Sequence, residues 1–256
     1  MAGHAHLQMG WKEGLPTLGI YDFEAGAFPA DAFPFVVGSA GVRLVPPGAQ
    51  FAFLGEAGST FFVLPQDEHP DLTYLGIGVD PIPVGTPAAS QIRLRLVSVA
   101  GPGHFAAYQV GSFGQSVAMM NSRDGIHAND GIDLAPGAHE HMNWAFNAPG
   151  DYQITFVAQA VRQSTGQMVL SLPTTYRFRV VPPSGARVDI ELGRLPGNLR
   201  FLIHSRVGAR LEWQESSNLT EWITKSSRLL ASDKWEFDVD NGGLAPRFWR
   251  VREHFE

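Results

Sequence analysis

The sequence predicts an all-β protein, an antiparallel β-sandwich followed by a second, smaller β-rich domain. Two observations carry this. Apolar residues recur at every second position in short segments, and clusters of Gly, Pro, Asn or Asp separate those segments in a chain with 28 Gly and 18 Pro in 256 residues. One apolar face and one polar face is what antiparallel sheets show, and many short strands with frequent turns fit a sandwich or a barrel.

The elements follow in order. In the opening segment Ala5, Leu7, Met9 and Trp11 alternate with His4, His6, Gln8 and Gly10. From Gln91 to Val99, Ile92, Leu94 and Leu96 oppose Arg93 and Arg95. Around His139 to Phe146, the residues Met142, Trp144 and Phe146 alternate with His139, His141 and Asn143. From Asp151 to Val161, Tyr152, Ile154, Phe156 and Ala158 oppose Asp151, Gln153 and Thr155. From Thr175 to Val180, Tyr176, Phe178 and Val180 oppose Arg177 and Arg179. Together these predict an immunoglobulin-like sandwich over residues 1–181.

Val181-Pro182-Pro183-Ser184-Gly185 reads as a boundary, since two prolines cannot sit in a central strand. Residues 182–185 form the linker and 186–256 the second domain. Charge supports the cut: residues 1–181 hold 8 basic and 14 acidic side chains, whereas 182–256 hold 11 of each. The net charge of −6 thus belongs to the first domain, where it favours a cation. Strands are expected at Leu199 to Ser205, Arg210 to Gln214, Trp235 to Val239 and Arg247 to Arg252. The stretch from Leu219 to Leu230 also fits a helical period, but Ser216-Ser217-Asn218 is turn chemistry and favours turn and strand. Trp213, Trp222, Trp235 and Trp249 are expected in the core of this small domain.

Composition excludes several functions. With 17% charged residues and 44% hydrophobic ones the chain is no disordered segment, and its net negative charge argues against nucleic acid as a partner. No run approaches the ~20 apolar residues of a membrane helix. Zero cysteine removes disulfides, thiolate metal sites and cysteine nucleophiles, so any metal must be held by nitrogen and oxygen. Met1-Ala2-Gly3 runs into His4 without a signal peptide, which fits a cytoplasmic protein or a mature form given a new start codon.

Two His-x-His triplets stand out, His4-Ala5-His6 and His139-Glu140-His141. On a strand, residues two apart share a face, so each triplet presents two imidazoles opposite its apolar series. If the two strands are neighbours, His4, His6, His139 and His141 converge into a nitrogen set suited to zinc, copper or nickel. His104 opens a strand after Gly101-Pro102-Gly103 and His127 follows Asp124-Gly125 in a loop, so either could reach across to complete the site. Asp22, Asp124 and Asn143 are further candidates to ligate the ion or to orient a ligand ring. Glu140 points away from its flanking histidines and is badly placed as a general base. His69, His204 and His254 read as non-functional. No nucleophile elbow, P-loop or dinucleotide fingerprint is present, so the chain is read as a metal binder rather than an enzyme. A copper-dependent oxidoreductase at the same histidines is the enzymatic alternative, and an adhesin or glycan-binding module using aromatics of the second domain is another.

Residues 3–181 resemble the bacterial surface-anchored-protein domain, also called the choice-of-anchor M domain. The resemblance runs through Gly3-His4-Ala5-His6, Phe53-Leu54-Gly55, Leu64-Pro65-Gln66, Leu75-Gly76, Gly101-Pro102-Gly103 and Ser122-Arg123-Asp124-Gly125. It is most specific at His139 to Phe146 and at Pro149-Gly150-Asp151-Tyr152. The resemblance implies that His4, His139 and His141 are characteristic residues, and that His6 replaces an aspartate common there. It further implies an exported protein, secreted, periplasmic or on the cell surface, with its leader removed, associated with a metal-type ABC transporter or another cell-surface component. The second domain, with Leu211 to Trp222 and Arg247-Phe248-Trp249-Arg250-Val251, resembles a small C-terminal module of bacterial exported proteins. The expected function is extracytoplasmic capture or presentation of zinc or copper.

Overall fold

A computed structural model describes residues 3–80, 91–162, 165–181, 186–195, 197–205, 207–240 and 247–254. The proposed linker, 182–185, lies outside the described residues. The chain divides into two compact units, residues 1–41 with 45–182, and residues 42–44 with 183–256. Among the described residues there is no α-helix, and none therefore that could cross a membrane. The all-β expectation holds.

The first sixteen strands in chain order are β1 (His4–Lys12), β2 (Leu15–Asp22), β3 (Gly26–Phe28), β4 (Phe35–Val37), β5 (Val42–Leu44), β6 (Thr60–Leu64), β7 (Tyr74–Val79) and β8 (Ile92–Ala100), then β9 (Phe105–Val110), β10 (Ser116–Asn121), β11 (Gly131–Leu134), β12 (His139–His141), β13 (Asn143–Phe146), β14 (Gly150–Val161), β15 (Met168–Leu170) and β16 (Thr174–Val180). One sheet runs β12-β7-β1-β2-β3, a second contains β10-β9-β13-β6 in that order, and a third runs β11-β8-β14-β16-β4 with β15 beside β14. The predicted alternation is realised: Ile92, Leu94 and Leu96, then Tyr152, Ile154 and Phe156, then Tyr176 and Phe178 are all buried.

Pairing departs from a purely antiparallel sandwich in two places, since β1 runs parallel to β7 and β4 runs parallel to β16. Both partners are far apart in sequence, which leaves the long crossover that a parallel pair requires. The chain also changes sheet at Met142. His139–His141 pairs with β7 in the first sheet, whereas Asn143–Phe146 pairs with β6 and β9 in the second. The alternation read continuously from His139 to Phe146 therefore spans two strands, and all four residues of β13 are buried.

Trp144 joins these layers. Its ring is fully buried, 6.0 Å from Phe105 and Phe178, and its Nε1–H donates to the Leu75 carbonyl of β7 at 3.0 Å. Tyr176 makes a comparable link, its hydroxyl donating to the Gly19 carbonyl of β2 at 2.8 Å. The sheet that carries the histidines is thus tied by side-chain hydrogen bonds to both of the others.

The second unit holds β17 (Arg187–Leu192), β18 (Asn198–His204), β19 (Arg210–Ser216), β20 (Ile223–Leu229), β21 (Lys234–Asp240) and β22 (Phe248–His254). They form two three-stranded sheets, β17-β18-β21 and β20-β19-β22. Phe201, Ile203, Leu211, Trp213 and Trp235 make the core, with Trp249 packed against it. Residues 223–229 are strand, as the turn chemistry predicts. Ser216 Oγ accepts the N–H groups of Asn218 and Leu219, and Asn218 Oδ1 accepts those of Thr220 and Glu221. Trp222 corrects the core expectation: it is half-buried, lies under the Arg250 guanidinium at 4.2 Å, and donates Nε1–H to the Leu219 carbonyl.

Candidate metal centre

The two His-x-His strands are not neighbours. β7 runs between them, so β1 and β12 stand two strand spacings apart, about 9.5 Å. The imidazoles nevertheless meet, because β7 has no side chains in the way. Gly76 pairs with His6 on one side and with His141 on the other, and Gly78 pairs with Gln8 and His139. Leu75, Ile77 and Val79 fill the opposite, buried face of β7. A Cβ at Gly76 would lie 2.8 Å from His6 Cδ2 and 2.9 Å from His141 Cε1, and one at Gly78 would lie 2.7 Å from His6 Nδ1. Real Cβ atoms essentially never come that close. The two glycines form the floor of the site.

Over this floor three ring nitrogens converge. His4 Nε2 is 3.1 Å from His6 Nε2 and 3.2 Å from His141 Nε2, and the third edge, His6 to His141, is 3.4 Å. A tetrahedral ion with bonds of about 2.0 to 2.1 Å sets its ligand nitrogens about 3.3 to 3.4 Å apart. The edge of 3.4 Å has this length, and the other two, at 3.1 and 3.2 Å, are slightly shorter. Hydrogen bonding alone cannot satisfy it, because a neutral imidazole nitrogen is either donor or acceptor, and among three at least one pair must be alike. A cation accepting three lone pairs leaves no such conflict. His4, His6 and His141 could hold a metal ion.

Aromatic rings hold the ligands in place. Phe23 stacks on His4 at 4.0 Å and Tyr74 stacks on His141 at 3.6 Å. His6, although on the polar face of β1, is only 3% exposed. Burial, reinforced by the charges His141, His4 and His139 would carry, pushes its pKa down to about 3. Burial, with His4 and His139, brings His141 to about 4, the Leu75 backbone carbonyl opposing. His4 is lowered by burial and by His139, with Glu68 and Asp22 pulling the other way. All three imidazoles are therefore neutral at neutral pH, and each has one ring lone pair to offer.

This arrangement fixes a pH dependence. In the unfolded chain these histidines take up protons near pH 6.5, while in the fold His141 and His6 do so only near 4 and 3. Folded pKa values below the unfolded one mean that stability is full above pH 6.5 and is lost as pH falls from there toward 3. The urea midpoint of the metal-free protein is expected to drop between pH 7 and pH 4, and to drop less in His6→Asn. Equal drops in the two proteins would contradict the assignment.

No protein-family model matches the chain, and no curated protein matches it. The site rests on its own geometry.

The other residues singled out from the sequence are placed elsewhere or beside the centre. His139 is exposed, its ring 5.4 Å from that of His6 and 6.0 Å from that of His141, and it is not in the group of converging nitrogens. Asn143 is buried in the second sheet, where its amide accepts the Gln66 N–H and donates to Gln66 Oε1 and the Tyr108 carbonyl. Asp22 flanks His4, but its Oδ1 accepts the N–H groups of Glu24 and Ala25. His104 is exposed ahead of β9, its backbone N–H given to Asn147. His127 and Asp124 share an exposed loop, the His127 ring 3.2 Å from the Asp124 carbonyl. Neither loop brings a ligand to the centre. Sequence reasoning missed Gly76, Gly78, Phe23 and Tyr74. The signal for the glycines was there, in Leu75-Gly76-Ile77-Gly78-Val79, a strand alternation with glycine on every polar-face position.

Proposed function

We propose that this protein captures or presents a transition metal ion, zinc or copper, outside the cytoplasm, holding it through His4, His6 and His141. The observation that carries the reading is the Nε2 triangle of 3.1, 3.2 and 3.4 Å over Gly76. Three imidazoles make a site of borderline softness that suits zinc and copper, and three ligands leave a further coordination position open. A structural ion is normally closed in by four protein ligands, so an open position on an accessible face favours an ion that is taken up and passed on. The resemblance of residues 3–181 to the choice-of-anchor M domain supports export and a metal-type ABC transporter or cell-surface component as the recipient.

Titration calorimetry and metal analysis test the reading. The wild-type chain is expected to bind one zinc or copper ion, and the combined His4→Ala and His141→Ala variant none. Unchanged metal content in the double variant would refute it. Sustained redox cycling of the copper-loaded protein with ascorbate and oxygen would move the reading to a copper oxidoreductase.

A further inference from the structure

Beside the triangle the same sheet face opens into a cleft of about 180 Å3, lined by His6, Gln8, Tyr21, Phe23, Asp80 and His139 among others. Of the three ligands only His6 borders it. The other two rings are each clamped face to face, His4 by Phe23 and His141 by Tyr74. His139 stands one pleat further along β12, opposite Gly78, with its ring inclined only 24° to that of His6. Being exposed, it can change rotamer on the fast timescale of surface side chains. The cleft is also lined by the Asp80 carboxylate, on the β1 side of the sheet, whose Oδ1 accepts the Gln8 amide at 2.6 Å.

We propose that His139 is the exchange ligand of the metal centre, and that the cleft carrying it is the route by which the ion enters and leaves. The inference rests on metal binding by the triad. In the transfer, a bond from the ion to a His139 ring nitrogen forms as the bond to His6 Nε2 breaks. Each imidazole supplies its own lone pair, so the coordination number is kept and no oxidant or reductant is consumed. The ion then stands at the mouth of the cleft, where a second chelating molecule can take it. Without His139 the ion would leave the buried His6 nitrogen with no protein ligand to take its place, which is slower. Asp80 contributes by attracting the hydrated cation on its way in.

Stopped-flow transfer of zinc from the loaded full-length protein to an excess of a chromogenic chelator provides the test, with zinc content after dialysis measured in parallel. His139→Ala is expected to keep one zinc per chain yet release it about tenfold or more slowly, the scale on which residues flanking a metal's ligands act. Asp80→Asn is expected to slow zinc uptake at low salt and to match wild type at high salt. Wild-type release rates in His139→Ala would overturn the exchange role, and loss of zinc from that variant on dialysis would make His139 a permanent ligand instead. Salt-independent uptake identical to wild type in Asp80→Asn would remove the cleft as the route. A wild-type chain that binds no zinc would refute the metal-binding reading beneath the proposal, a result separable from all of these.

Discussion

Gly76→Ala is expected to abolish metal binding while every ligand histidine remains in the chain. The added Cβ would stand 2.8 Å from His6 Cδ2, 2.9 Å from His141 Cε1 and 3.0 Å from the Glu140 carbonyl oxygen. The first two contacts can be relieved only by rotating the rings apart, which opens the triangle. The third involves backbone of the neighbouring strand and resists relief. Misplacing one of three imidazoles exceeds the 10- to 100-fold loss of affinity typical of disturbing residues that merely support a ligand, so a loss of ~100-fold or more is expected. Calorimetric titration with zinc checks this, and a metal-free thermal melt keeps it separate from unfolding. Zinc affinity within threefold of wild type in a folded Gly76→Ala protein would show that the rings do not need this floor.

Trp144→Ala carries the largest expected effect on stability. The ring is fully buried among Phe105, Phe156 and Phe178, and truncating such an aromatic costs about 3 to 5 kcal/mol. That is a large part of the roughly 5 to 15 kcal/mol by which domains are stable. It also strips the Leu75 carbonyl of its indole donor at the residue before Gly76, so stability and site geometry are lost together. Chemical denaturation should show the lower midpoint. Trp144→Phe separates the causes: it keeps most of the packing and removes one hydrogen bond, for a cost of about 0.5 to 1.5 kcal/mol. A Trp144→Ala protein as stable as wild type would contradict the placement of this residue between the sheets.

Much of this was open to reading in the sequence because burial on one side of a strand imposes a period of two. Ile92, Leu94 and Leu96, and Tyr152, Ile154 and Phe156, announce their strands and faces, and the same rule puts His4 with His6 and His139 with His141 on one side. What the period does not encode is which strand lies beside which. Parallel pairing of β1 with β7 joins residues some seventy apart, and no local pattern signals it. Gly76 and Gly78 are silent for another reason: glycine favours turns, and its use here is to supply nothing where two neighbouring side chains need room. His139 and Asn143 show the limit of extending a periodicity past a break, since the chain leaves the sheet at Met142 and Asn143 enters a buried amide network. The burial of His6 on a nominally polar face likewise follows from its neighbours, the rings of His4, His141, His139 and Phe23, and not from its own strand.

In the proposed site three imidazole nitrogens from two strands share one ion above a glycine floor. Anomalous diffraction from crystals of the zinc-loaded protein tests it most directly. One dominant zinc peak is expected within bonding distance, about 2.0 to 2.1 Å, of Nε2 of His4, His6 and His141. A dominant peak at other histidines such as His104, His127 or His204, or no peak above Gly76, would contradict it.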